Sequence, residues 1–341
     1  MEVRVLPPQP SGTARAIGYN PARLTHAFSY GELKIFSGRA HPALAQEICD
    51  YLKLPLGELT LYNFSDGETY GQIDENVRGA DVFVVQPTSS PVNEHVMELL
   101  ILLDAFRRSS ASRITAVMPY FGYARQDKKD KPRVPIAAKL MADLLTASGA
   151  DRILTMDLHA AQIQGFFNIP VDHLFAAPVL LDAIRKLELD DLVIVSPDVG
   201  GVARARAIGK RLGASLAIID KRRTGKNETE ILNVIGEVEG RNTLILDDII
   251  DTAGTLVQAE EALRQQGAKT TYAAGVHPVL SGPAVERIEA SQLKTVLVTN
   301  TISVDAAIAR CPRIRSFSIA PLLGEAIQRI HEGTSVSSLF V

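Results

Sequence analysis

Apolar runs of strand length alternate with helical patterns along most of this chain, and that alternation restricts its fold more than any other feature. Residues 80–86, 113–118 and 152–156 read as strands, with helices over 93–108 and 136–149 between them. The second half repeats the style. Strands are expected at 192–195, 216–219 and 243–246, and helices at 202–212 and 255–266. Strand–helix–strand order predicts an α/β fold with mainly parallel sheets covered by helices on both faces.

The pattern also repeats internally. Residues 82–86 and 243–247 are each a strand, followed by a loop, a long helix and a second strand ending at a proline, Pro119 or Pro278. The offset is about 160 residues. Two copies of one α/β domain is the simplest reading, against chance similarity of two α/β units. A chain of 341 residues with 46% hydrophobic content can build two cores, at roughly 100–200 residues per domain. The expected division is an extension over 1–30, a first domain over 31–180 and a second over 181–330, with the tail 331–341 packed on the first. The extension carries Pro and Gly and no evident chemistry, and is expected to be poorly ordered or laid on the surface.

Composition removes several classes. A net charge of -3 with 22% charged residues lacks the basic excess of a nucleic-acid binder. Cys49 and Cys311 are far apart with no CxxC spacing, which argues against a disulfide framework or zinc site and for a reducing cytosol. The longest apolar run, 99–106, is interrupted by Asp104 and is too short to span a bilayer. The first 30 residues lack a secretory apolar core. A cytoplasmic protein is therefore expected. Neither GxxxxGK[ST] nor GxGxxG occurs.

The sharpest motif is Ile245-Leu246-Asp247-Asp248-Ile249-Ile250-Asp251-Thr252-Ala253-Gly254-Thr255. A buried strand ends in carboxylates, a short turn follows, and a helix begins. Helix-start amides bind phosphate, and carboxylates suit ribose hydroxyls or a metal carrying them. Three aspartates with Thr-Ala-Gly-Thr exceed what a helix cap needs. This loop resembles the signature of the phosphoribosyltransferase superfamily. The first copy has Gln86, Pro87 and Ser90 in the corresponding loop.

Other strand ends carry polar sets. After Tyr120-Phe121-Gly122-Tyr123 comes a run with five basic residues in the nine from Arg125 to Arg133. It is a solvated charged loop or, since open α/β sheets place ligands at strand ends, an anion site. Asp157 and His159 follow the strand 152–156, where the histidine is structural or meets Mg²⁺ or phosphate. Ser196-Pro197-Asp198-Val199-Gly200-Gly201 is a plausible metal or diphosphate turn. Lys221-Arg222-Arg223 follows the strand 216–219 and precedes a polar stretch of loop composition. Asn63-Phe64-Ser65-Asp66-Gly67-Glu68 alone would be an ordinary turn, although an aromatic face beside carboxylates suits a purine.

Together, over residues 32–341, these segments resemble the ribose-phosphate pyrophosphokinase family of the phosphate-activated bacterial type. Tyr123–Lys129, Met156–Ala160, Gly165–Pro170 and Asp247–Thr255 occur in order at family-like spacing. The resemblance implies two duplicated phosphoribosyltransferase-type domains, each a mainly parallel sheet flanked by helices. It implies transfer of pyrophosphate from Mg·ATP to ribose 5-phosphate, giving phosphoribosyl pyrophosphate and AMP for nucleotide, histidine and tryptophan biosynthesis. By the same resemblance Phe64, Asp66, Gly67 and Glu68 hold adenine from a neighbouring subunit, and Arg125, Gln126 and His159 hold ATP. His159 and Asp198 sit at the Mg²⁺ positions, with Asp157 in support. Lys221 and Arg223 are the catalytic basic pair. Arg223, Asp247, Asp248 and Asp251, Thr252, Ala253, Gly254, Thr255 hold the sugar phosphate. A homo-oligomer, a hexamer in the family, is implied, with phosphate activating and ADP inhibiting at a site that includes Arg78, Ser89, Ser90, Ser335 and Ser337. Arg222 departs from relatives that carry an acid there, and the extension matches nothing in the family. The competing readings are a phosphoribosyltransferase, which would need no adenine turn, and a non-catalytic regulatory relative, which would lose the basic pair or the acidic loop.

Overall fold

The computed structural model describes residues 30–222 and 231–340. The expected extension and Arg223 therefore lie outside the described residues, apart from Tyr30. The first half runs β1 (Leu33–Ser37), α1 (Pro42–Leu52), β2 (Leu59–Asn63), β3 (Thr69–Ile73), β4 (Asp81–Val85), α2 (Val92–Arg108), β5 (Arg113–Met118), α3 (Ala137–Ser148), β6 (Arg152–Met156), a 3-10 turn (Ala161–Phe166) and β7 (Val171–Leu174). Then follow α4 (Ala177–Arg185), β8 (Leu192–Ser196), α5 (Val202–Leu212), β9 (Ser215–Arg222), β10 (Ile231–Ile235), β11 (Asn242–Ile250), α6 (Gly254–Gln265), β12 (Thr270–Pro278), α7 (Ala284–Ala290), β13 (Val296–Thr299), α8 (Asp305–Arg310), β14 (Ile314–Phe317) and α9 (Ala320–Glu332).

The strand order is β1-β4-β5-β6-β7 in one sheet and β10-β9-β8-β11-β12-β13-β14 in the other. All pairs are parallel except β9–β10. The five strands of the first sheet and β8-β11-β12-β13-β14 of the second have the same order and connections, so the duplication extends over the whole of each unit. In each, a hairpin is inserted after the first helix: β2–β3 in the first unit and β9–β10 in the second. The second hairpin joins the edge of its sheet. The first keeps only a bridge between Ile35 and Leu56 at the corresponding place.

Parallel strands covered on both faces must be apolar on both, and β4 is buried throughout. Its side chains alternate. Val82 and Val84 enter a core with α2 and α3, while Phe83 and Val85 face the other way. In the second sheet Ile245 faces a core that includes α6 and α7, and Leu244 and Leu246 face inward. The inward faces share a third core with α1, α4, α5 and α9. The last helix of each unit crosses to the other. Helix α4 packs on β13 and β14, and α9 packs on α1. The expected 180/181 division falls inside α4, and α9 is held by Arg113, which donates to the Ile330 carbonyl at 3.0 Å. The buried Arg113–Asp81 pair also meets His331. Cys49 and Cys311 are both buried and free. No helix among the described residues is long and apolar enough to cross a membrane.

Two strands run further than the residue pattern suggests. β11 continues to Ile250 because it pairs with β12 as far as Pro278, and β9 continues to Arg222 because β10 pairs back on it. Lys221 and Arg222 are thus on a hairpin strand rather than in a loop. The hairpin strands β2, β3 and β10 are not evident from the residue pattern alone.

Candidate active site at the facing strand ends

Because the sheets share a core, the carboxyl ends of β5 and β6 face those of β11 and β12. Asp247 and Asp248 lie on the extended part of β11, so successive side chains point to opposite faces. Asp247 lines a cavity of about 160 Å³ with Asp198, Asp251 and the turn Thr252–Thr255. Burial, then the neighbouring Asp248 charge, pushes its carboxyl up. The Asp248 side chain turns the other way: its Oδ2 is 2.8 Å from His159 Nδ1 of the first domain and its Oδ1 3.3 Å from Arg204 of its own domain. Burial opposes its ionisation, yet His159 and Arg204 hold it below the ordinary carboxylate range. Asp248 therefore differs from the sequence-based expectation. It ties the two domains together and does not line this acidic cavity.

The turn after β11 is built for an anion. Ala253 adopts a left-handed conformation, φ 57°, and α6 starts without a side-chain cap, at a helix start of the kind that binds anions. A Cβ at Gly254 would lie 3.3 Å from Arg287 Nη1, and that arginine donates to the Thr252 carbonyl at 2.9 Å. Asp251 accepts from Ser281 and Arg125. Burial opposes its charge, but these two donors keep its carboxyl below the usual range.

Arg125 and Gln126 line a second cavity of about 480 Å³ with Tyr120, Tyr123 and residues 91–94 at the start of α2. This is the first-copy counterpart of the sugar-phosphate loop. The Arg125–Asp251 ion pair links the two cavities. His159 follows β6 and is partly exposed; the hydrogen bond to Asp248 pushes its pKa up. The Asp157 carboxylate is turned inward, accepting the Ala176 amide at 2.6 Å, and burial pushes it up to about 6. Asp198 is exposed, with one oxygen accepting the Gly201 amide at 2.9 Å.

Phe64, Asp66, Gly67 and Glu68 form the tip of the β2–β3 hairpin. Gly67 has φ 94°, and Asp66 Oδ1 accepts the Glu68 amide at 3.1 Å. Phe64 is 46% exposed beside Tyr62 and Tyr70, and lines neither cavity. Lys221 lies on β9, in the hairpin that is the topological counterpart of this one, and Arg223 lies outside the described residues. Arg78 is on the surface after β3. Ser89 is buried with its carbonyl 2.8 Å from His95 Nδ1, and Ser90 is exposed. Ser335 and Ser337 follow α9, where Arg329 donates to the Ser335 carbonyl.

Residue reasoning missed Arg204, His277, Ser281 and Arg287. Arg204 is one of four basic residues on α5 and Arg287 the one cation of α7, and neither carries a local signal. His277 stands just before Pro278, the strand end that marks the repeat.

Comparison with known proteins agrees with this architecture. The family model described as the N-terminal domain of ribose phosphate pyrophosphokinase matches residues 33–149, and that of the phosphoribosyl synthetase-associated domain matches 222–341. A ribose-phosphate pyrophosphokinase of Burkholderia pseudomallei is 55% identical over 313 residues, covering 92% of this chain and 98% of that one. That of Rhizobium meliloti is 56% identical over 309 residues, covering 90% of this chain and 100% of the relative. The crystal structure of phosphoribosylpyrophosphate synthetase from Mycobacterium smegmatis superposes with a TM-score of 0.84 at 43% identity, over 89% of this chain and 100% of that one. With identity above half along nearly the full length of its relatives, the chain belongs to the ribose-phosphate pyrophosphokinase family.

Proposed function

We propose that this enzyme joins ribose 5-phosphate to the β,γ-pyrophosphoryl group of Mg·ATP, giving phosphoribosyl pyrophosphate and AMP. The observation that carries this is the pair of cavities at the facing strand ends, one acidic with a helix-start phosphate cradle and one bearing Arg125, joined through Arg125 and Asp251. The sugar's 5-phosphate occupies the amides of Thr252–Thr255, and its hydroxyls meet Asp247 and Asp251. ATP phosphates lie against Arg125, Gln126 and His159. The 1-hydroxyl attacks the β-phosphorus and AMP departs, so charge builds on non-bridging and leaving oxygens. Such transfers depend on positioning and positive charge, which Lys221 and Arg223 supply.

Among the described residues no three metal-ligating side chains converge. Mg²⁺ typically takes one or two protein carboxylates with substrate phosphates and water. Asp198, exposed beside the acidic cavity, and the ring edge of His159 not held by Asp248 would hold it, with Asp157 stiffening the turn. The bound ion would neutralise phosphate charge and fix the in-line geometry. The exposed Phe64 turn, which lines neither cavity of its own chain, serves a neighbouring subunit in a homo-oligomer, by family likeness a hexamer. Phosphate activates and ADP inhibits at a separate contact involving Arg78, Ser89, Ser90, Ser335 and Ser337; Arg78→Ala blunts both effects and spares the unregulated rate.

The test is incubation of purified enzyme with ATP, ribose 5-phosphate and Mg²⁺, scored for AMP. AMP formation that requires all three is expected. No AMP from a folded enzyme, or AMP without the sugar, refutes the assignment.

A further inference from the structure

The turn that carries His159 is held in an unusual way. The peptide between Asp157 and Leu158 is gripped at both ends by buried histidines from different sheets. Leu158 N–H donates to His173 Nε2 at 2.8 Å, from β7. The Asp157 carbonyl lies 3.0 Å from His277 Nε2, from β12. Asp157 itself has φ 38°, a left-handed conformation that a non-glycine residue keeps only when its surroundings impose it.

The two contacts require opposite tautomers. His173 Nε2 accepts, so its proton is on Nδ1. His277 Nε2 donates to a carbonyl, which leaves Nδ1 to accept from the Thr301 hydroxyl at 3.0 Å. Both rings are nearly inaccessible, at 4% and 2%. Burial pushes each down to about 4, so both are neutral at physiological pH. Aromatic neighbours fix their planes: Phe175 against His173, with centroids 4.6 Å apart, and Tyr120 edge-on to His277 at 5.2 Å. One residue further on, His159 has its ring rotation set by Asp248. Its backbone position is set by the clamped peptide.

We propose that His173 and His277 are positioning residues. In opposite tautomers they clamp the Asp157–Leu158 peptide between the two domains, and so aim the His159 imidazole at the ATP phosphates. This rests on the assignment of His159 to the nucleotide.

The comparison is between His→Met, which keeps bulk but removes the polar contact, and His→Gln, whose amide restores an acceptor or a donor near the Nε2 position. Calorimetry with Mg·ATP in the absence of sugar gives affinity apart from turnover. His173→Met and His277→Met should each weaken Mg·ATP binding about tenfold or more, as loss of a supporting contact does at comparable sites, and raise KM for ATP in parallel. KM for ribose 5-phosphate should stay within about twofold, and the Gln variants should recover most of the loss. Met variants that melt earlier but bind Mg·ATP normally would reduce the histidines to packing. Gln variants as weak as Met would remove the hydrogen bonds as the cause. Nitrogen-15 histidine spectra of the wild-type enzyme give a check that needs no variant, and the same tautomer on both rings would overturn the clamp. His159→Ala separates the underlying reading: unchanged Mg·ATP affinity there sinks the assignment of His159 itself.

Discussion

Adjacent aspartates on one strand serve two different purposes here. Asp247 faces the acidic cavity beside the Thr252–Thr255 turn, whereas Asp248 is bonded to His159 and Arg204. Asp247→Asn should raise KM for ribose 5-phosphate with little change in melting temperature. Asp248→Asn should lower stability by about 1–3 kcal/mol, because hydrogen bonds to charged groups are lost in a largely buried setting, and should weaken ATP use as well. Steady-state kinetics and thermal melts of both variants check this, and identical profiles would remove the distinction. Lys221→Ala should cost about 10²–10³ in kcat, with much smaller changes in KM; near-normal turnover would rule it out as a transition-state group. The acidic loop, Arg125 and His159 were all legible as residue types at strand ends. Which aspartate faces the sugar was not, because it depends on how far β11 pairs with β12. Arg204 and His277 act through long-range contacts that leave no local pattern.

Helix and strand positions followed from periodicity, since buried parallel strands are short apolar runs and the long helices are amphipathic. The bounds shifted where pairing or capping decides them. The β2–β3 hairpin escaped notice because Tyr, Asn, Gln and Gly on a half-exposed ribbon give weak alternation. Helix α1 illustrates capping by an unusual residue. His41 Nδ1 accepts the Leu44 amide at 3.3 Å, and Pro42 follows in the first turn. His41 Nε2 is buried without a partner, and burial pushes its pKa below the ordinary 6.5. A histidine whose folded pKa is depressed stabilises the fold above its unfolded pKa and loses that contribution as pH falls toward the folded value. The cap should therefore weaken as pH drops below about 6.5. His41→Asn supplies a cap that does not titrate. Its stability should match the wild type within about 1 kcal/mol at pH 8 and fall less steeply in acid. Parallel denaturation curves for the two proteins down to pH 4.5 would show that His41 has no such role.

At the scale of the molecule, the duplicated fold has put equivalent pieces to different uses. The loop after β11 is acidic and the loop after β4 is not. The hairpin in the second unit carries Lys221, and its counterpart ends in the exposed Phe64 turn. The exchange of α4 and α9 between units, with one core spanning both inner sheet faces, makes the two halves a single folding unit. Phe64 lines neither cavity of its own chain, and the proposal is that it serves a neighbour. Each site then needs Lys221 from one chain and Phe64 from another. Phe64→Ala and Lys221→Ala proteins should each be nearly inactive. When they are dissociated, mixed in equal amounts and reassembled, a site with the Phe64→Ala chain as its body and a Lys221→Ala neighbour is intact. Random assembly places about one quarter of sites in that arrangement, so activity should return to roughly a quarter of the wild-type value. Mixed assemblies confirmed by mass measurement that stay inactive would mean that each chain completes its own site, and the adenine turn would have to be sought elsewhere in the same subunit.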